Sequence, residues 1–437
     1  PAAGAARGSK GQPGGPGGVS ALHFDGSATA AASFASGADR ALPGDEVSVA
    51  FWLRIDAPHK GEIGLGYRVE GDELLLQLAT RPTELGSYSP RSVSDRALSP
   101  GCWHHVGFVY SLTNLHFTAY VDGRTMADCS IANDESAPIV NLFKPLGVKF
   151  CGSLADVKIW NRAVSTNDLL AFRPAPADVA ALEANFIRLR DGSAHSGFRA
   201  WCEANRGKLA SMRADAGTSV VAWQGLQDAA RKAVVLDVQT RRIAASSPLA
   251  GAPFCCLDIY PYHYEMRLPH VVPADGVATD TVTLAAARGE YESASFVLFP
   301  FQDVRKLELR AADLSCGALK LPAATVDLKV VKCWHEPRYS WNLYFSGDRE
   351  FPTLIPELLL HDDSLVRVDE SRRRNFLRVD YPAGARYVDI STPGPTERVP
   401  TFNYEQEPVH DSETFQPLPL LTGRCQQFWL TVCPPTN

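Results

Sequence analysis

The chain has 437 residues, 45% of them hydrophobic and 21% charged, and a formal net charge of −6 at pH 7. That length fits two to four domains of about 100–200 residues each, and the apolar content excludes an intrinsically disordered chain. The acidic balance argues against a nucleic-acid or anionic-membrane surface, either of which needs a basic patch.

The first 18 residues, PAAGAARGSKGQPGGPGG, form a Gly/Pro/Ala-rich linker. The start has neither a Met nor the apolar segment of a secretion signal, so the N-terminus reads as cut back, and export stays open. No stretch reaches the about 20 apolar residues that span a bilayer. The single dense basic run, Arg372-Arg373-Arg374, is flanked by acids and reads as a solvated turn.

Residues 19–172 are dense in strand signals. Val47, Val49, Phe51, Leu53 and Ile55 alternate with Ser48, Ala50, Trp52 and Arg54, a period of two with one buried face. Leu74-Leu75-Leu76-Gln77-Leu78 is another strand candidate. In LHFTAYVDGRTMAD, Asp122-Gly123 supplies the positive φ that a type I′ hairpin turn requires. Many short strands predict a sandwich or jelly roll.

Residues 173–252 change character. Val179, Leu182, Phe186 and Leu189 recur at helical steps behind a Pro-Ala-Asp start. Phe198, Trp201 and Cys202 begin a second helix, and AWQGLQDAARKAVVLDVQTRRIAA holds a third. The segment reads as a helical connector. From 253 to 437 short β-like runs return, separated by Pro, Gly and Asp, as in a second antiparallel β-sandwich. The closing strand, QQFWLTV, has no partner further along, so this sandwich reads as truncated. The expected fold is therefore mainly β: a jelly-roll sandwich plus a second antiparallel sandwich, joined by helices.

ALHFDGS, VSVAFWLRI, CWHHVGFVY, AYVDGR and FCGSLADVKIWNRAVSTNDL resemble, in order and spacing, the laminin-G-like or concanavalin-A-like jelly roll over residues 19–172. This resemblance implies sugar binding, protein binding or scaffolding. Some members hold a structural calcium near a Gly-x-Ile-Asp-(Asp/Glu)-Val pattern. Here Gly152-Ser153-Leu154-Ala155-Asp156-Val157 puts Ala155 where the first acid stands. Calcium wants several carboxylates, so the ion is not favoured; Asp25 is the remaining candidate ligand. No cofactor is expected.

RGEYES and QQFWLTV anchor a second resemblance, over residues 253–437, to the accessory β-sandwich at the N-terminal side of glycoside hydrolase family 123 and uncharacterised relatives. In that family a catalytic (β/α)₈-like barrel with an adjacent Asp-Glu pair follows and cleaves N-acetylhexosaminides. The resemblance implies that this chain is a non-catalytic portion of a larger exported, glycoside-hydrolase-like protein. A catalytic domain would lie downstream, and the location would be extracellular or cell-surface.

Four adjacent acid pairs occur: Asp45-Glu46, Asp72-Glu73, Asp134-Glu135 and Asp369-Glu370. Glycoside chemistry needs carboxyl groups at controlled separation in a cleft, one with a raised pKa. These pairs sit beside Gly, Asn or Ser and read as turns. Cys102, His104 and His105 raise a metal or Cys–His nucleophile, but neighbours on a strand face opposite ways, so a structural role is expected. KCWHEPRYSW groups Cys333, His335 and Glu336 and reads as a packed strand end. The ten cysteines hold no Cys-x-x-Cys; disulfides in an exported protein and buried free thiols both fit. No phosphate loop, dinucleotide fingerprint or nucleophile elbow is present. Trp52, Tyr67 and Tyr88 are the candidate sugar-stacking aromatics of the first domain. A glycan ligand is the expected partner; protein ligands on a cell-surface adhesin, and a hydrolase site within this chain, are the rivals.

Overall fold

The computed structural model describes residues 14–25, 46–56, 62–69, 72–79, 101–111, 113–130, 139–142, 151–214, 218–263, 266–317, 319–336, 353–391 and 409–436. The fold is mainly β, with antiparallel sheets and four α-helices among the described residues. Two compact units are present. One comprises Pro1–Leu182, Leu209–Gln227 and Arg338–Phe351; the other comprises Glu183–Lys208, Asp228–Pro337 and Pro352–Asn437. The helices are α1 (Thr166–Leu169), α2 (Pro176–Gly192), α3 (Ser196–Ala214) and α4 (Val220–Thr240). The last three match the expected helices: Val179, Phe186, Leu189, Phe198, Trp201 and Cys202 are buried, whereas Leu182 is half-buried.

The first unit contains β1 (Ala21–Asp25), β2 (Glu46–Ile55), β3 (Glu62–Val69), β4 (Asp72–Ala79), β5 (Trp103–Ser111), β6 (His116–Val121), β7 (Arg124–Ser130), β8 (Ile139–Leu142) and β9 (Cys151–Trp160). Six of them form a sheet in the order β1-β9-β2-β5-β6-β7, and the others a sheet in the order β4-β3-β8. All pairs are antiparallel. First and last strands are neighbours, so the sheet closes its sequence ends together. The end of the Gly/Pro stretch belongs to this unit: Gly15 and Pro16 are buried, and a Cβ on Gly15 would lie 2.3 Å from Ala155 Cβ.

Strand β2 departs from the expected single buried face. Val49, Phe51 and Leu53 are at most 1% exposed, but so are Ala50 and Trp52 on the opposite side. The chain after β9 returns over that second side. Ser48 Oγ donates to Arg162 O at 2.9 Å and accepts from Val164 N–H at 3.1 Å. Glu46 Oε2 accepts from Ala163 N–H at 3.1 Å. Ser165 caps α1 by accepting from Asp168 N–H. Leu169 of α1 then packs on Ala50. Ala50 pairs in register with Gly107, and a Cβ at Gly107 would meet Leu169 at 3.1 Å. Two small residues on adjacent strands thus make the seat for one leucine. The next residues are tied to the start of α4: Phe172 N–H donates to Thr218 O at 3.2 Å and Val220 N–H to Leu170 O at 2.9 Å.

The second unit contains β10 (Phe254–Ile259), β11 (Val277–Ala278), β12 (Glu292–Pro300), β13 (Val304–Leu307), β14 (Leu314–Cys316), β15 (Leu319–Leu321), β16 (Val326–Glu336), β17 (Thr353–Leu360), β18 (Val366–Asp369), β19 (Arg374–Tyr381), β20 (Gly384–Asp389), β21 (Leu418–Leu420) and β22 (Gln426–Val432). The main sheet runs β11-β10-β12-β22-β16-β17, beside smaller sheets β13-β21, β14-β15 and β18-β19-β20. One side of the main sheet buries Leu298, Val330, Leu360 and Phe428 with Leu307, Leu365, Val366, Leu418 and Leu420. The other side receives helical aromatics: the Trp201 ring lies 5.4 Å from Phe299, and Phe198 lies 5.7 Å from Phe301.

The closing strand is a correction to the sequence reading, which left it without a partner. β22 is paired on both edges, with β12 from Glu292↔Val432 to Leu298↔Gln426 and with β16 from Val326↔Val432 to Val330↔Phe428. Its partners precede it in the chain.

Candidate functional site

The Asp122-Gly123 turn is built as its residue types require. Val121 pairs with Arg124 across a two-residue connection, with φ of 51° at Asp122 and 77° at Gly123. The turn is also buried. Asp122 Oδ2 lies 2.8 Å from His104 Nδ1, and Asp122 Oδ1 accepts from His105 N–H at 2.9 Å. His104 and His105 are 2% and 4% exposed. Burial pushes the His105 imidazole down to about 4, against the weaker pull of Asp122, so the ring is neutral at pH 7. The histidines brace a hairpin; neither faces an open site.

Of the three candidate stacking aromatics, Trp52 is placed in the core. It is 1% exposed, with the Phe172 ring 4.8 Å away and the His105 ring at 5.1 Å. Stacking on a sugar needs an open ring face, and these neighbours occupy it. Tyr67 sits on β3, opposite Leu74 of β4 and Leu142 of β8. Tyr88 lies outside the described residues.

The acids divide in the same way. Glu46 accepts from Ser111 Oγ as well as from Ala163. Asp369 Oδ1 accepts from Ser371 Oγ at 2.6 Å and from the backbone N–H groups of Ser371 and Arg372. The Ser371 hydroxyl first, and the Arg372 amide next, hold its carboxyl below the usual range. Glu370 pairs with Arg424. These are turn and packing duties. Asp72 and Glu73 are on β4, in register with Val69 and Arg68; Asp45, Asp134 and Glu135 lie outside the described residues. Among the described carboxyl groups Asp258 is displaced upward, by burial. It stands on β10 opposite Phe296 and Val277, with no second carboxylate in register.

In β16, Cys333 is a free thiol pushed up to about 12 by burial. The backbone of His335 is clamped by Asn375, which accepts from His335 N–H at 2.9 Å and donates to His335 O at 2.5 Å. The rest of that stretch, residues 337–341, lies outside the described residues. The eight cysteines whose side chains are described are all free: Cys202, Cys255 and Cys425 are buried, Cys316 is exposed, and the other four are partly buried.

The calcium-like segment contains a bulge. Ala50 pairs with Lys158 but Trp52 pairs with Ala155, so Asp156 and Val157 together oppose Phe51. Asp156 adopts φ of 49°, and its carboxylate lies 2.7 Å from Lys158 Nζ. Among the described residues, no group of three or more His, Cys, Asp and Glu side chains is arranged to hold a metal ion.

The second unit has an open groove of about 500 Å³ lined by Arg190, Asp191, Arg199, Ala200 and Glu203. Arg190 bonds Asp191 at 2.8 Å and Glu203 at 2.6 Å. Bonds from Arg206 and then Arg190 hold the Glu203 carboxyl at about 2, so it stays ionised and is no general acid.

Residues 25–169 match the family model of the concanavalin A-like lectin/glucanases superfamily. The match runs from the last residue of β1 through β2 to β9, with its bulge, to the end of α1. No curated protein matches the chain. Solved structures with local likeness include the native heptameric SAP-like pentraxin of Limulus polyphemus, 15% identical, with a TM-score of 0.20 over 29% of this chain and 68% of that one. Another is the Trypanosoma rangeli sialidase in complex with sialic acid, 14% identical, with a TM-score of 0.24 over 28% of this chain and 22% of that one. A third is domain 4 of AbnA, an extracellular arabinanase from Geobacillus stearothermophilus, in complex with arabinotriose: 16% identical, TM-score 0.20, 29% of this chain and 65% of that one.

Proposed function

We propose that residues 25–169 form a carbohydrate-binding module, and that the chain is the non-catalytic accessory portion of an exported glycoside-hydrolase-like protein. The observation that carries the reading is the match of those residues to the concanavalin A-like lectin/glucanases superfamily. The resemblance of residues 253–437 to the accessory sandwich of glycoside hydrolase family 123 extends it to the second unit and to an extracellular or cell-surface location. The structural duties of Glu46, Asp369 and Glu370 support a binding role over a hydrolytic one. Among the described residues no helix is long and apolar enough to cross a membrane. Tyr67 and Tyr88 stay as the ligand-stacking residues; Trp52 does not.

A glycan array probed with the whole chain tests this, alongside hydrolysis of chromogenic N-acetylhexosaminides. Binding without turnover is expected, weakened by Tyr67→Ala or Tyr88→Ala. Turnover by this chain, or protein ligands recovered with no glycan bound, would overturn it.

A further inference from the structure

Beyond the end of β10 the sequence Tyr260-Pro261-Tyr262 puts two aromatic rings into solvent, 62% and 63% exposed. Their centroids are 6.0 Å apart and their planes meet at 74°. Tyr262 also meets Trp429 of β22, half-buried, at 5.9 Å and 79°. Tyr262 therefore stands nearly upright against both neighbours, and the three rings make a stepped aromatic corner. A cluster of this kind left in water marks a contact site rather than core packing. Trp429 is in register with Lys329 on β16. Cross-strand partners have Cβ atoms about 5 Å apart, so Lys329 stands at the rim. Its ammonium is 2.8 Å from the Asp327 carboxylate, and both side chains are partly exposed. The other Asp327 oxygen lies 2.7 Å from His361 Nε2, so the rim offers an ammonium donor beside a carboxylate that the lysine offsets.

A ligand for this corner needs flat apolar faces, polar edges and no net charge. Pyranose rings have all three: C–H groups on the face and hydroxyls around the edge. A lipid tail or aliphatic peptide would cover the rings but gain no hydrogen bond from the rim. We propose that the second unit carries its own platform for a neutral sugar chain. Tyr260, Tyr262 and Trp429 stack the ring faces, and Lys329 and Asp327 bond hydroxyls. This site is separate from the glycan role assigned to residues 25–169 and does not depend on it.

The test uses the full chain in native gels containing hydroxyethyl cellulose, arabinoxylan, galactomannan or glycol chitin. The wild type should be retarded by at least one of these. The double variant Tyr260→Ala/Tyr262→Ala should weaken that retardation by about tenfold or more, with an unchanged melting temperature because both rings are exposed. Tyr67→Ala/Tyr88→Ala should leave this component in place, which separates the two sites. Retardation by none of the four polymers overturns the proposal, as does equal retardation of the double variant and the wild type. Binding to phosphatidylcholine vesicles that the double variant loses, with no polysaccharide bound, overturns it in favour of an apolar partner.

Discussion

The Trp52 ring packs against Phe172 with 4.8 Å between centroids, joining a central strand to the segment that returns after β9. Phe172 in turn lies 6.2 Å from Trp223, which is 1% exposed. Truncating a buried aromatic costs about 3–5 kcal/mol. Trp52→Ala should lower unfolding stability by that amount. Phe172→Ala should cost less when Trp52 is already gone, because the two share one contact. Denaturant unfolding of the two single variants and the double variant reads both effects; additive losses would deny the coupling.

Asp122 holds a positive φ and bonds both the His104 ring and the His105 amide. Asp122→Ala leaves those buried groups short of a partner, a loss of about 1–3 kcal/mol. Asp122→Asn should cost less, since Asn tolerates the left-handed region and still offers an oxygen to His105 N–H. Equal losses in thermal unfolding would show that the carboxylate charge matters more than the turn.

His105 gives the first unit a defined acid sensitivity. Its unfolded imidazole titrates at 6.5 and burial lowers the folded one to about 4. Between these values the unfolded chain holds a proton that the folded chain does not. The contribution is fully present above pH 6.5 and is lost as pH falls toward 4, by about 3 kcal/mol. Unfolding at pH 7, 5.5 and 4 should show wild type losing more stability than His105→Gln. Parallel losses would remove His105 as the cause.

Gly107 and Ala50 make the seat of Leu169. A Val at position 107 would push Leu169 off the sheet and should cost about 1–3 kcal/mol by overpacking. The paired variant Gly107→Val/Leu169→Ala should cost less than the sum of the two single changes. Calorimetry of the three proteins measures this.

The seat also shows where the sequence stops being legible. The strand β2, the Asp-Gly hairpin and three of the helices follow from local periodicity and turn chemistry. The second buried side of β2 does not. Ser48, Ala50 and Trp52 alternate as a solvent side would, and only the arrival of a segment 114 residues later turns Ser48 into an anchor. That is why Trp52 reads as an exposed platform and is a core ring. The exposed corner was equally hidden, because Trp429 lies far along the chain from Tyr260 and Tyr262. Nothing in the sequence reading singles out the tyrosines spaced around Pro261.

The closing strand poses the same problem of distant partners and gives the sharpest test of the second unit. Phe428 is fully buried and stacks on Phe296 at 5.2 Å. Its strand separates β12 from β16, so it holds two ladders at once. An edge strand can fray while the rest of a sheet stays paired; a central strand cannot. Phe428→Ala should therefore cost about 3–5 kcal/mol. Hydrogen exchange should show protection falling together in β10, β12, β16 and β22, with the six-stranded sheet of the first unit unaffected. Loss confined to residues 426–432 would mean that β22 is an appendage to a sheet that stands without it.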